Sequence, residues 1–327
     1  MYRNDTLTRV PESPAWQLFR SEGIRIGTAS WTDKTLLEPG LFYPEGMKTP
    51  AERLVFYAEH FPIVEVDSTY YGLPSERNAE LWVERTPDDF VFNVKAFALL
   101  TQHPTKASAL PKDVRELIPE DVREKGRFYP RDLSAEVLEE CWTRFLSSLR
   151  PLRGASKLGA LLFQFPEWFP PSRANRDYVV QCGDRVAAAL PGVACAVEFR
   201  SEGWMRDEQR QQRTLEMLEE HGLPYVCVDM PQGFRTSIPP VAAATAPLAV
   251  VRFHGRRTDT WGKRNVSVLE KFGYDYSKDE LSEWQPRIAE LATAAREVHV
   301  LMNNCYRDYA VRSAHTMSQL SLDLARR

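Results

Sequence analysis

Along the chain, short apolar runs rich in β-branched residues alternate with longer stretches in which apolar positions recur every three or four residues. The first pattern is that of strands buried on both faces and the second that of amphipathic helices, so their alternation predicts a parallel sheet built from βα units. The predicted strands are Ile24 to Thr28, Ile63 to Asp67, Phe90 to Lys95, Leu158 to Gln164, Ala194 to Phe199, Pro224 to Val228, Leu248 to Phe253 and Val298 to Met302. Thr49-Pro50-Ala51-Glu52 and Ser277-Lys278-Asp279-Glu280 are capping boxes, the first with proline at the opening helical position, where its missing N–H costs nothing. Ser75, Ser134 and Asp207 read as further N-caps, and the run Val137, Leu138, Cys141, Trp142, Phe145, Leu146, Leu149 forms one apolar helix face. Another helix is predicted from Asp308 to about Leu324. The sum is a single (β/α)8 TIM-type barrel over 24–327, preceded by an N-terminal extension, 1–23.

Two stretches break the repeat. Between the third and fourth strands lie about 60 residues, longer than a simple connection, and the polar, proline-punctuated Pro104 to Arg131 marks 99–133 as an insertion or lid. After the sixth strand, Pro239-Pro240 and the alanine-rich stretch to Pro247 predict an irregular connection with at most a short helix.

Composition narrows the class. At 327 residues, 43% hydrophobic and 27% charged, the chain is an ordinary globular one with enough apolar residues for a large core. Its 42 basic and 45 acidic residues leave a net charge of -3, so no strong nucleic-acid signal arises. The 5 cysteines are odd in number and form no C-x-x-C pair, which fits reduced thiols. With no signal-like apolar segment and no membrane-length apolar run, the expectation is a cytoplasmic protein without a membrane partner.

The chemistry is expected at the carboxyl ends of the strands, where barrels build their sites. Those ends are polar throughout: Ser30-Trp31, Glu65 and Asp67, Asn93 and Lys95, Gln164, Glu198 and Arg200, Asp229, Arg252 and His254, Asn303-Asn304. The period of two puts Glu65 with Asp67, Asn93 with Lys95, Glu198 with Arg200, and Arg252 with His254 on common faces. Charges so placed must meet one another, water or a ligand, since burying them alone is very costly. A structural ion-pair network is the plain alternative for any one of them.

Glu65, Asp67, Lys95, Glu198, Asp229 and His254 are the candidate acids, bases and proton carriers. Ser30, Trp31, Tyr70, Tyr71, His103, Gln164, Arg200, Trp204, Arg252, Asn303, Asn304 and Tyr306 are the candidate binding residues. Trp261 also falls beyond a strand end, although loop packing explains each tryptophan singly. No G-x-G-x-x-G, P-loop, H-E-x-x-H or G-x-S-x-G motif is present, and no resident cofactor is implied. A divalent metal stays open as an option through Glu65, Asp67, His103, Glu198, Asp229 and His254, with Lys95, Arg200 and Arg252 competing against it. The cationic set better suits a carboxylate or phosphate. The functional expectation is an enzyme doing isomerase- or lyase-like acid/base chemistry on a small polar, anionic or sugar-like molecule. A metal-dependent phosphate-ester or nucleic-acid hydrolase and a non-catalytic metabolite-binding module are the alternatives.

Ile26-Gly27-Thr28-Ala29-Ser30-Trp31, Phe42-Tyr43-Pro44, Glu65-Val66-Asp67-Ser68-Thr69-Tyr70-Tyr71, Phe90 to Lys95, Leu162-Phe163-Gln164-Phe165-Pro166, Glu198-Phe199-Arg200, Arg252-Phe253-His254-Gly255-Arg256 and Asn303-Asn304 stand in an order that resembles the YecE-like family, domain of unknown function 72. The resemblance runs from about residue 24 to 320 and implies a TIM-barrel-type fold, related by fold analogy to sugar isomerases. The family usually has asparagine where this chain has Asp67 and phenylalanine where it has Tyr70. The first change adds a negative charge at the mouth.

Overall fold

The computed structural model describes residues 12–38, 40–263 and 266–326, with the side chains of 268 and 269 excepted. Eight parallel strands form the sheet: β1 Ile24–Ala29, β2 Ile63–Val66, β3 Val91–Lys95, β4 Leu158–Gln164, β5 Ala194–Glu198, β6 Val226–Asp229, β7 Leu248–Phe253 and β8 Glu297–Met302. Their order is β5-β4-β3-β2-β1-β8-β7-β6, and the circle is completed by a parallel bridge between Val197 and Tyr225, so the sheet closes into a nearly complete barrel. This is the single (β/α)8 fold the patterning predicts, with strand ends shifted by a residue or two.

Helices Pro50–His60, Glu76–Glu84, Ala135–Ser148, Arg173–Ala189, Glu208–Glu220, Gln285–Ala294 and Tyr309–Ala325 wrap the barrel. Ser75, Ser134 and Asp207 cap their helices through side-chain oxygens, and both predicted capping boxes are formed at Thr49 and Ser277. Between β6 and β7 the chain runs without a helix, held by Thr245, whose hydroxyl donates to the Leu223 carbonyl and accepts from the Tyr225 N–H. Of the predicted extension, residues 1–11 lie outside the described residues. Pro14–Glu22 is a helix capped by Ser13 and buried through Ala15, Trp16 and Leu18, with the Trp16 indole donating to the Ala58 carbonyl.

The segment after β3 is ordered by its own apolar residues. Leu110, Val114, Ile118, Val122 and Phe128 are buried, and Thr105 pairs antiparallel with Phe128. Its start, the turn Ala98–Thr101, delivers His103 to the barrel mouth.

Inside the foot of the barrel, Arg25 pairs with Glu297, Glu297 lies 3.0 Å from His299 Nε2, and His299 Nδ1 lies 3.0 Å from Asn93 Oδ1. Room for this chain comes from Gly159, where β4 slips by one residue against β3. A Cβ there would stand 2.7 Å from both Asn93 Oδ1 and His299 Cε1, closer than any real contact. No helix among the described residues is long and apolar enough to cross a membrane.

Candidate active site at the barrel mouth

The floor of the mouth is an ion-pair lattice centred on Arg252. Its guanidinium is fully buried and reaches Glu65 through Nε at 2.9 Å and Nη2 at 2.5 Å, and Glu198 through Nη1 at 2.5 Å. Glu198 then meets Gln164 Nε2 at 2.7 Å, His254 Nε2 at 3.2 Å and Arg200 Nε at 2.7 Å, the last without a hydrogen-bonding angle. Period-two alternation in β2, β5 and β7 is what sends Glu65, Glu198 and Arg252 to one interior layer.

Three carboxylates, Glu65, Asp67 and Glu198, thus stand among three cations, Lys95, Arg200 and Arg252. The two buried glutamates carry that charge unequally. Burial would raise Glu198, but Arg200, Arg252 and His254 outweigh it and hold the carboxyl well below its ordinary range. Glu65 is pushed upward by burial, against Arg252, with Asp67 adding to the push. His254 is pulled down to about 3 by burial and by the facing Arg200, so its ring is neutral at physiological pH.

That neutral ring has a choice of protons. Its Nε2 lies 3.0 Å from Arg200 Nη2, which only donates, and 3.2 Å from Glu198 Oε1, which only accepts. Offering a lone pair to Arg200 puts the ring proton on Nδ1; offering N–H to Glu198 puts it on Nε2. The amide of Asn303, 2.9 Å from Nδ1, serves either tautomer by turning over.

Above this floor stand Asp67, Lys95, Tyr70 and His103. Lys95 Nζ stands 3.6 Å from Asp67 Oδ1 and 4.9 Å from the centre of the Tyr70 ring. Asp67 Oδ1 is out of solvent, yet no donor hydrogen-bonds to it. His103 packs its ring edge against Tyr70 and Trp168, accepts or donates at Thr101 Oγ1, and is drawn down to about 3 by burial, then Lys95 and Arg200. Cys305 borders the acidic side, donating to the Ala29 carbonyl, and burial beside Asp33, Asp67 and Glu65 raises its thiol well above the ordinary range.

The structure therefore gathers Glu65, Asp67, Lys95, Glu198, His254, Arg200, Arg252, Gln164, Asn303, His103 and Tyr70 around one mouth. Other candidates fall elsewhere. Asp229 meets the helix layer, taking hydrogen bonds from Arg256, Tyr276 and the Trp284 indole. Asn304 donates to the Tyr274 carbonyl and to Ser313. Trp204 is fully buried, stacked on Phe199 at 4.0 Å and bonded to the Phe169 carbonyl. Trp31 packs edge-on against Trp82 and Phe92. Ser30 closes a turn at φ 108°, its hydroxyl oxygen accepting from the Thr32 N–H, and Tyr306 is exposed. Tyr71, though exposed, packs edge-on against Tyr70 at the rim of the mouth.

Sequence reasoning missed two neighbours of the site. Cys305 follows Asn303 by two positions, so the strand's own alternation was the available signal. Lys271 sits on the short helix Val268–Phe272 beyond β7, and only tertiary packing brings it over the Trp261 ring, at 4.8 Å from the centroid. Among the described residues no three His, Cys, Asp or Glu side chains gather as a metal-binding group.

Comparison with known proteins places the sequence and the fold in one family. The family model DUF72, described as a protein of unknown function, matches residues 25–325. The UPF0759 protein YunF of Bacillus subtilis is 32% identical over 287 residues, covering 86% of this chain and 88% of its own. A DUF72 family protein of Thermotoga maritima superposes with a TM-score of 0.69 at 28% identity, over 91% of this chain and 98% of its own. One from Enterococcus faecalis gives 0.71 at 25% identity, over 91% and 95%. The barrel and its ordered series of strand-end motifs are those of a family, and this chain belongs to DUF72.

Proposed function

We propose that the mouth is the active site of an enzyme performing isomerase- or lyase-like acid/base chemistry on a small polar, anionic or sugar-like molecule. The observation that carries this reading is the contrast in satisfaction between Arg252, whose donors are spent on two carboxylates, and Asp67, whose Oδ1 lies out of solvent without a donor beside the Lys95 ammonium. A carboxylate oxygen held out of solvent, with a lysine ammonium 3.6 Å away but no hydrogen bond, is costly to keep, and a substrate hydroxyl or an activated C–H is the partner it lacks.

In this reading Asp67 takes the proton and Lys95 stabilises the negative charge that develops on the substrate oxygen. The proton taken by Asp67 is then returned to the product carbon or to the leaving group, while Glu198, His254 and Asn303 hold the floor of the site in register. Gln164 and Tyr70 position the substrate, the tyrosine by its ring face. Asp229, held by three structural donors, takes no part.

The test is solvent exchange. Incubated in D2O with a panel of sugars, sugar acids and hydroxy acids, the protein is expected to incorporate deuterium into one of them, read by proton NMR. Asp67→Asn and Lys95→Met should each slow that exchange by about 100-fold or more, the usual scale for losing an acid/base group. Undiminished exchange in both variants would remove the residue assignment.

A further inference from the structure

We infer that the substrate carries an oxyanion, a phosphate or carboxylate, and that Arg200 and Lys271 bind it across the face of Trp261. This deepens the reading of the mouth as an active site and rests on it.

Two cations share one indole. The Arg200 guanidinium carbon lies 5.6 Å from the Trp261 ring centroid and the Lys271 ammonium 4.8 Å from it. Trp261 is itself fixed, 3% exposed, with its indole N–H donating to Thr236 Oγ1 at 3.0 Å. Arg200 is ion-paired with Glu198 at 2.7 Å through Nε, a contact without a hydrogen-bonding angle, whereas Lys271 Nζ has no ion-pair partner within salt-bridge distance among the described residues. Burial and the nearby Arg200 both work against the Lys271 charge, with only the exposed Glu167 favouring it.

Like charges brought onto one ring, one of them without a counter-ion, are unfavourable in the empty protein. An oxyanion between them would accept from both at once and remove the repulsion, which is the pattern by which guanidinium and ammonium groups select phosphate or carboxylate. The location fits the chemistry. Phe272, next to Lys271, lies 6.0 Å from the His254 ring, and Arg200 with Lys95 supplies the field that depresses His103, so the anion would sit beside the His254 side of the floor. Arg252 and Glu65 stay out of this role because each spends itself on the other.

Calorimetry on the whole chain at constant ionic strength, with inorganic phosphate in one arm and malonate in the other, tests the inference without any turnover. Saturable binding of phosphate, of malonate or of both is expected, and the arm that binds identifies the oxyanion. Lys271→Met should weaken it about tenfold, the effect of one charge-assisted hydrogen bond, and Lys271→Arg should restore it. A competing cationic cleft of about 210 Å³ on the barrel flank is lined by Arg176, Arg210 and Arg213, so Arg176→Met/Arg213→Met serves as the control and should leave binding unchanged. Failure of both anions to bind, unweakened binding in Lys271→Met, or loss only in the flank variant overturns the oxyanion site. Those outcomes leave the Asp67 and Lys95 exchange test standing, and intact anion binding with full exchange in Asp67→Asn and Lys95→Met would reject the acid/base reading alone.

Discussion

Two aspartates stand at strand ends on opposite sides of the same barrel, and they live differently. Asp229, after β6, is buried and receives the Arg256 guanidinium through Nε and Nη2, the Tyr276 hydroxyl at 2.6 Å and the Trp284 indole at 2.7 Å. Asp67, after β2, has one lysine at 3.6 Å and an oxygen with no donor. The same residue type at the same kind of position is a finished structural tie in one place and an open acceptor in the other. What separates them is the company each keeps: helix-layer donors with fixed rings at Asp229, a single mostly buried ammonium at Asp67. The foot of the barrel repeats the finished pattern in Arg25, Glu297, His299 and Asn93. Unfinished satisfaction, rather than charge itself, is what marks the site.

The largest expected effect comes from breaking the lattice on which the open side rests. Arg252→Met leaves Glu65 and Glu198 buried without their shared cation, and should cost about 3 to 5 kcal/mol in denaturant unfolding. A loss below about 1 kcal/mol would mean the guanidinium is not the keystone the geometry makes it.

Next comes the direct contrast. Asp229→Asn removes the charge that three donors share and should destabilise the fold by about 1.5 to 3 kcal/mol without a specific effect on solvent exchange. Asp67→Asn should change stability by about 0.5 kcal/mol or less while abolishing exchange. Equal destabilisation by the two would erase the distinction.

A further contrast is in pH. The ordinary histidine value of 6.5 is lowered to about 3 at His254 by burial and Arg200, so between these values the unfolded chain binds a proton that the folded chain does not. Stability contributed by this group is therefore lost as pH falls from 6.5, with a slope of about 1.4 kcal/mol per pH unit. Glu65 acts in the opposite sense: raised above its ordinary 4.5, it loses stability as pH rises from there. Urea titrations of wild type and His254→Gln between these two values isolate the histidine, whose removal should reduce the slope by that amount. Identical slopes would show the ring is charged in the native state.

Much of this was legible in the chain. Apolar runs spaced by amphipathic helices specified eight parallel strands, because burial on both faces demands continuous hydrophobicity, and proline with alanine after β6 foretold an irregular connection with at most a short helix. Period two alone put Glu65, Glu198 and Arg252 on interior faces. It could not separate Asp67 from Asp229, since both follow a strand end and only the third dimension supplies Trp284 and Tyr276 to one of them. It could not place Trp204, whose position after a strand suits a ligand platform but whose ring is claimed by Phe199 and Phe169.

The sequence by itself determined the barrel, the polar ring at its mouth and the membership in one family, because these rest on local periodicity and ordered motifs. Which polar groups remain unpaired was decided only by tertiary structure. Hydrogen-bond satisfaction is a property of distances between residues far apart in the chain, such as Arg252 and Glu65 separated by 187 positions, and no local pattern encodes it.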